Sequence, residues 1–459
     1  MKILKRQCFV NFEQADWKTD PELMGMDVIL EQKQQIVLEA SACFPNAKAE
    51  GQSIIGRSGM TLEQVVRCAV FMRHRRYTYK ELSLATADSK LCRAFTKMEY
   101  TQSFSPQALQ ENISKITDEV LEKMHVAICS YALELGVDDG KKIRTDSTTI
   151  TTNIHHPTNA GFLWDCIRVS SRLVKRSHKL INEIRCRSYA KASKKLLYNI
   201  VNTKGKNAKE KRLPLFKKML KYHKCSENQV IEAIEVLNNH NFSDDITEKL
   251  RQKYLRQLQD LLPSMQTVYD MAYRREILDE TVPVSNKLFS IFEKHTDCIA
   301  KGSRTVVFGH KVNLTAGKSN LIFDCIQERG NPADKSYFPK TIDNLEVNFN
   351  IVPDSIATDG AYACTENRDY ALSKKIKNIV FNKIKGAMQN VASSQKMETM
   401  LKKWRSGIEA LISNFKRGLN AAKCTWKGWE AFKQFVLWNI ITFNLRVISR
   451  SLLSSMRIS

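Results

Sequence analysis

Long apolar runs are scarce in this chain of 459 residues. The longest, from Phe435 to Leu445, is broken by Asn439, Thr442 and Asn444. A membrane-spanning helix needs about 20 apolar residues, so an integral membrane protein is excluded. The opening MKILKRQCFVNFEQ lacks the apolar stretch of about 7–15 residues that marks a secretory signal, and none is expected. No Cys-x-x-Cys pair and no Cys/His run at zinc spacing occurs among the 12 cysteines, which argues against a structural zinc. Their scatter along so long a chain points to reduced thiols in a cytosolic compartment. Glycine (17) and proline (10) are too few for a collagen-like or low-complexity chain. The balance of 43% hydrophobic and 26% charged residues is that of a globular protein, not a disordered chain or a coiled-coil rod. Length alone suggests about three domain-sized units.

Acidic residues are in deficit. Lys and Arg number 72 against 48 Asp and Glu, a formal charge of +24. Residues 161–230 carry 19 basic and 4 acidic side chains, and residues 374–427 carry 13 and 2. These two blocks hold the whole excess. One lysine-rich helix is most simply a solvated face, but two long blocks on a near-neutral background read as footprints for a polyanion, nucleic acid above all. The basic residues alternate with Tyr, Asn and Ser and leave no continuous apolar face, so membrane-surface binding fits less well.

Residues 1–58 carry no clear pattern. From Thr61 the chain reads as helix. Thr61-Leu-Glu-Gln64 and Thr78-Tyr-Lys-Glu81 have capping-box form, and Ser105-Pro106 opens a further helix. Residues 59–137 are therefore expected to form a helical N-terminal domain. Its capped helix pair suits either helix-turn-helix DNA binding or plain helix packing. Residues 141–154, rich in Thr and Ile, read as a strand. Residues 161–300 return to helix. Strands follow at Thr305–Leu314 and Asn320–Gln327, joined by a turn at 316–319, then at Ser355–Thr358 and Asn378–Phe381, with helices around 341–349, 367–376 and from about 394 onward. Without 161–300 the order is β-β-β-α-β-α-β-α. The expected fold class is α/β: a ribonuclease-H-like mixed-sheet catalytic core, residues 138–160 and 301–459, with a large helical basic insertion between its first and second strands.

In such a sheet the first and fourth strands are neighbours. Asp146 lies on the first and Asp359 closes the fourth, so their carboxylates are expected to meet, with Glu409 added from a covering helix. At ~100° per residue, Arg405, Glu409 and Lys416 share one stripe of that helix beside an apolar face of Ile408, Leu411, Ile412 and Phe415. Three acids in a site for a polyanion would repel it unless cations intervened, which argues for hard divalent ions such as Mg²⁺. Any single acid among 48 is most simply a surface residue, and Asp165, Asp324 and Asp354 are rivals. His155 and His156 read as structural or DNA-facing residues and receive no catalytic role. Trp404, Trp426 and Trp429 could stack on a base, although core packing is the simpler expectation.

The ordered set Asp146-Ser-Thr-Thr149, Asn153-Ile-His-His-Pro-Thr158, Val284-Ser-Asn-Lys-Leu-Phe-Ser-Ile-Phe-Glu293, Phe308-Gly-His-Lys311, Asp359-Gly-Ala-Tyr362 and Arg405-x3-Glu409-x6-Lys416 resembles bacterial insertion-sequence transposases of the DDE class, most closely the ISNCY family. The resemblance spans residues 61–450, approximately. It implies a Mg²⁺-dependent triad of Asp146, Asp359 and Glu409, which both hold the metal and carry catalysis, with Mn²⁺ able to substitute. It also implies action on double-stranded DNA, namely terminal inverted repeats and target, by a dimer or larger synaptic assembly in a bacterial cytoplasm, associated with the nucleoid. Arg405 and Lys416 match DNA-contacting residues of related transposases. Lys402, which stands where the wider signature has Tyr, and Arg417 complete the expected DNA-binding set. A DNA-binding relative that does not cut, and a ribonuclease-H-like nuclease without strand transfer, remain as alternatives.

Overall fold

The computed structural model describes residues 17–45, 59–99, 101–301, 305–384, 386 and 388–458, together with two short paired strands, Ile3–Leu4 and Lys48–Ala49. The chain forms two compact units, one of residues 1–153 with 299–459 and one of residues 154–298. The larger is built on a mixed sheet of six strands: β1 (Lys142–Thr151), β2 (Asp297–Lys301), β3 (Thr305–Ala316), β4 (Ile322–Gln327), β5 (Ser355–Asp359) and β6 (Asn378–Asn382). The order is β2-β3-β1-β5-β6, with β4 also paired to β3. β1 is antiparallel to β3 and parallel to β5, which is parallel to β6.

Among the described residues the main helices ahead of the sheet are α1 (Pro21–Gln32), α2 (Leu62–Arg75), α3 (Tyr79–Asp88), α4 (Lys90–Phe95), α5 (Pro106–Ile113) and α6 (Asp118–Glu134), with a single short turn of helix at Gln35–Leu38. Both capping boxes form. Thr61 and Gln64 bond reciprocally, as do Thr78 and Glu81. These helices are not walled off as a separate 59–137 domain. Leu23, Val66 and Leu121 join Ile143, Phe323, Ile356 and Trp438 in one hydrophobic core, so the N-terminal helices cover a face of the sheet. α1 lies within the segment 1–58 that carried no pattern. It is nonetheless capped locally, Asp20 accepting from the Leu23 N–H ahead of Pro21.

The smaller unit contains α7 (Asn159–Leu180), α8 (Ala190–Asn202), α9 (Ala208–Asn239) and α10 (Asp245–Glu276), packed around Leu163, Met219, Val230, Leu258 and Met265. It begins at residue 154 and ends at 298, slightly earlier than the expected 161–300 insertion. Lys204, Lys206, Lys211, Lys217, Lys218 and Lys221 are exposed on it.

The chain then adds α11 (Tyr337–Phe349), α12 (Thr365–Ser373), α13 (Gln395–Arg405), α14 (Gly407–Gly418) and α15 (Trp429–Ile458). Alternation along β3 sends Val312, Leu314 and Ala316 to the face covered by Leu411, Phe415 and Phe435, while Asn313 and Thr315 turn to the other. The polar residues that interrupt the 435–445 run are buried and bonded. Thr442 Oγ1 donates to the Trp438 carbonyl, and Asn444 both accepts from the Ile322 N–H (2.9 Å) and donates to the Ile322 carbonyl (2.8 Å). That clamp holds α15 on the first residue of β4. Among the described residues no helix is long and apolar enough to cross a membrane.

Candidate active site

Register decides where the two aspartates go. β1 and β5 pair from Lys142↔Ser355 to Thr145↔Thr358. Paired residues of a parallel ladder point to the same face, and successive residues alternate. Thr145 and Thr358 are buried together, so Asp146 and Asp359, each one residue further on, both turn to the opposite face, the one covered by α13 and α14. After Asp359 the chain enters a tight turn, Gly360–Tyr362. A Cβ on Gly360 would fall 2.5 Å from the Lys383 carbonyl oxygen and 2.6 Å from that of Asn382, so glycine alone lets the turn lie against the end of β6.

The covering helix is not continuous, contrary to the single stripe expected of residues 405–416. It breaks at Ser406 because Arg144, on the same face of β1 as Asp146, reaches up to it. Arg144 Nη1 donates to the Trp404 carbonyl at 2.6 Å, an acceptor that an uninterrupted helix would give to Ile408. Gly407 makes room, since a Cβ there would lie 2.3 Å from the Arg144 guanidinium. The Trp404 ring lies against both Lys142 (4.4 Å) and Arg144 (4.7 Å). Ser406 keeps helical dihedrals, so the pair Arg405 and Glu409 still meets across the break.

Arg405 is the hub. Its Nη2 lies 2.7 Å from Asp146 Oδ2 and 3.9 Å from Asp359 Oδ1, and its Nη1 lies 3.1 Å from Glu409 Oε1. Exposure rises along the set, from 8% for the Arg405 side chain to 19%, 40% and 66% for Asp146, Asp359 and Glu409. Burial pushes the Asp146 carboxyl up to about 6, and Asp359 and Asp334 push the same way, against the Arg405 charge and a 2.8 Å bond from the Ser147 N–H. A shared cation thus holds together acids that would otherwise repel one another.

Behind the aspartates, on the other face, a buried polar network ties the elements together. The Tyr362 hydroxyl donates to Asn313 Oδ1 (2.6 Å), Thr145 Oγ1 donates to the same oxygen (3.3 Å), and Thr315 Oγ1 donates to Thr145 Oγ1 (2.9 Å). Asn313 Nδ2 donates to Thr341 on α11 (3.3 Å). Buried networks of this kind rigidify what they join. Sequence reasoning missed Arg144, Asn313, Thr315 and Thr341. Arg144 was findable, since it stands two residues before Asp146 on a strand of period two.

The expected DNA-binding residues divide. Arg405 is buried among the acids instead of facing solvent. Lys416 Nζ donates to the Thr149 carbonyl of β1 (2.7 Å). Lys402 pairs with Glu398 (2.6 Å), and Arg417 is exposed. Among the rivals, Asp354 pairs with Lys377 near the surface, and Asp324 is buried under Asn344 with its carboxyl pushed up to about 7, chiefly by burial. Asp165, within the 154–298 unit, accepts from His155 (2.6 Å) and Arg168 (2.9 Å).

Two carboxylates on one sheet face and a third on the covering helix are hard-oxygen donors of the kind Mg²⁺ takes. As they stand, no three His, Cys, Asp or Glu side chains among the described residues are close enough to hold an ion, because a guanidinium occupies the centre. The donor chemistry fits a divalent cation, and Arg405 supplies the positive charge in its place.

Residues 290–445 match the family model of the transposase DDE domain. The match covers about a third of the chain and includes Asp359 and Glu409 but not Asp146. It supports a DDE transposase family. No curated protein and no solved structure gives a match.

Proposed function

We propose that this chain is a DNA transposase of a bacterial insertion sequence, one that cuts element ends and joins them to target DNA by metal-dependent phosphoryl transfer. One observation carries the reading. Asp146 and Asp359 stand side by side on one sheet face, and both join Glu409 through a single guanidinium. The strand order supports a ribonuclease-H-like core, with β1 between β3 and β5 and the smaller unit inserted in the chain after β1. The similarity to the ISNCY family supports the same assignment.

In this reading Asp146, Asp359 and Glu409 would hold Mg²⁺, with Mn²⁺ as substitute. Such ions stabilise the charge that develops on phosphoryl oxygens. Arg405 keeps the acids gathered and neutralised, and must give up part of its contacts for a divalent ion to bind. Lys402, Lys416 and Arg417 meet phosphates along the strand, Lys416 after leaving the Thr149 carbonyl. Two element ends are brought together by a dimer or larger assembly. The second reading is a DNA-binding relative without cleavage, and the guanidinium at the centre of the acids is what favours it.

The deciding measurement is cleavage of end-labelled element DNA with Mg²⁺ or Mn²⁺. Asp146→Asn, Asp359→Asn and Glu409→Gln should each lower it by at least ~100-fold while DNA binding persists. Full cleavage by any one variant removes that residue from the triad. Binding without cleavage by the unaltered chain selects the second reading.

A further inference from the structure

We propose that the cavity between the α2–α3 turn and residues 420–435 takes one nucleotide, its phosphate on Arg73 and its base on the Tyr79–Trp426 pair. The inference deepens the DNA reading above and rests on it. The cavity has a volume of about 510 Å³, within the roughly 300–1,000 Å³ range of small-ligand sites.

Arg73 is the residue that points to a ligand. It lies on the same helix as Arg67, and both are buried. Arg67 is met by three carboxylates, those of Asp27, Glu31 and Glu63. Arg73 is met by none among the described residues. Its guanidinium lies 4.9 Å over the Phe435 ring, and its Nε has no hydrogen-bond partner. Burial pushes it down to about 10, opposed only by Tyr79 and Cys424. A buried cation without a counterion is unfavourable, and an anion entering the cavity would complete it. The fork of a guanidinium suits phosphate in particular.

The other walls fit the rest of a nucleotide. Tyr79 and Trp426 are stacked, 6.0 Å between centroids at 24°, and both are half-buried. They therefore offer a flat aromatic surface on which any base can lie. Arg76, Lys423 and Lys427 stand exposed around the rim and would draw a polyanion in.

The position also suits a strand that passes the carboxylates. Thr151, the last residue of β1, bonds the backbone on both sides of Lys423, its N–H to the Ala422 carbonyl (3.0 Å) and its carbonyl to the Cys424 N–H (2.8 Å). Asp146 lies five residues back along that strand, about 17 Å at ~3.3 Å per residue. A few nucleotides of unpaired DNA cover that distance. Lys416, bonded at Thr149, lies between.

The test uses the full chain in EDTA, so that nothing is cut, and a hexadeoxynucleotide bearing a 5′-phosphate and 2-aminopurine. Stacking on Tyr79 and Trp426 should quench the probe. Trp426→Leu should remove most of the quench. Arg73→Met should weaken binding by at least ~10-fold without lowering the melting temperature, since it deletes an uncompensated charge. If Arg73→Met does not fold, Arg73→Lys, which keeps the charge and loses the fork, should show the same direction of change in affinity. Competition by AMP at similar concentration identifies a free mononucleotide as the occupant, and competition by unlabelled oligonucleotide alone identifies a DNA strand; either supports the site. Quenching and affinity that are unchanged in both variants overturn it. Metal-dependent cleavage, measured separately, tells the two readings apart: cleavage without quenching sinks the cavity alone, and quenching without cleavage sinks the transposase alone.

Discussion

Arg405 and Asp146, 259 residues apart in sequence, meet at 2.7 Å, and the same guanidinium reaches Glu409 at 3.1 Å. The pair explains how Asp146, Asp359 and Glu409 can gather around one point without a metal. Arg405→Met should therefore leave them repelling one another, with a loss of about 1–3 kcal/mol of stability in EDTA, since the acids are partly exposed. Added Mg²⁺ should raise the melting temperature of the variant more than that of the unaltered chain. Equal shifts in the two would separate Arg405 from the metal site.

A cation held in the acid cluster should show less in the salt dependence of DNA binding than one exposed to solvent. Arg417 is exposed, and Arg417→Ala should reduce the slope of log K against log salt by about 1. The buried residue at 405 should affect that slope little. Titrations of labelled duplex between low and moderate salt measure both.

Asp324 makes stability fall with rising pH. Its carboxyl is pushed from an ordinary 3.8 up to about 7 by burial, with Glu122 adding to the rise and Asn344 and Thr341 opposing it. Between those values the folded chain keeps a proton that the unfolded chain has lost, so stability is fullest below about 4 and declines as pH climbs through 7. Asp324→Asn should remove the decline and raise stability at pH 8 by about 2–4 kcal/mol. Melting curves at pH 5 and pH 8 check it: the gain belongs at the higher pH only.

The Asn444 clamp on Ile322 should be felt globally. Asn444→Leu leaves a buried N–H and a buried carbonyl at the start of β4 without this partner. The expected loss is about 3 kcal/mol, read as an earlier urea midpoint at unchanged slope. Asn444→Asp keeps the acceptor and should lose less only where the carboxylate is protonated.

What was legible in the sequence was local. The boxes at Thr61 and Thr78 formed because their partners lie three residues away. Five strands fell close to where β-branched alternation put them, while Asp297–Lys301, at the end of a stretch read as helix, was missed; Asp146 and Asp359 lie on one face because period two is a property of the strand itself. The interruption at Ser406 was invisible, because its cause, Arg144, sits 260 residues upstream of the Trp404 carbonyl it takes. So was the enclosure of Arg405: a helical wheel places a side chain on a face but says nothing of which carboxylates wait opposite. The N-terminal helices looked separable for a related reason. Their apolar faces are plain in the sequence, whereas the partner that buries them, α15, lies at the far end of the chain.

The clasp at Arg405 has a consequence for handling the protein. A site that carries its own counter-charge does not depend on an outside ion to keep its shape. Chelation should leave the chain folded, and under the proposed function activation is an exchange of one positive group for another.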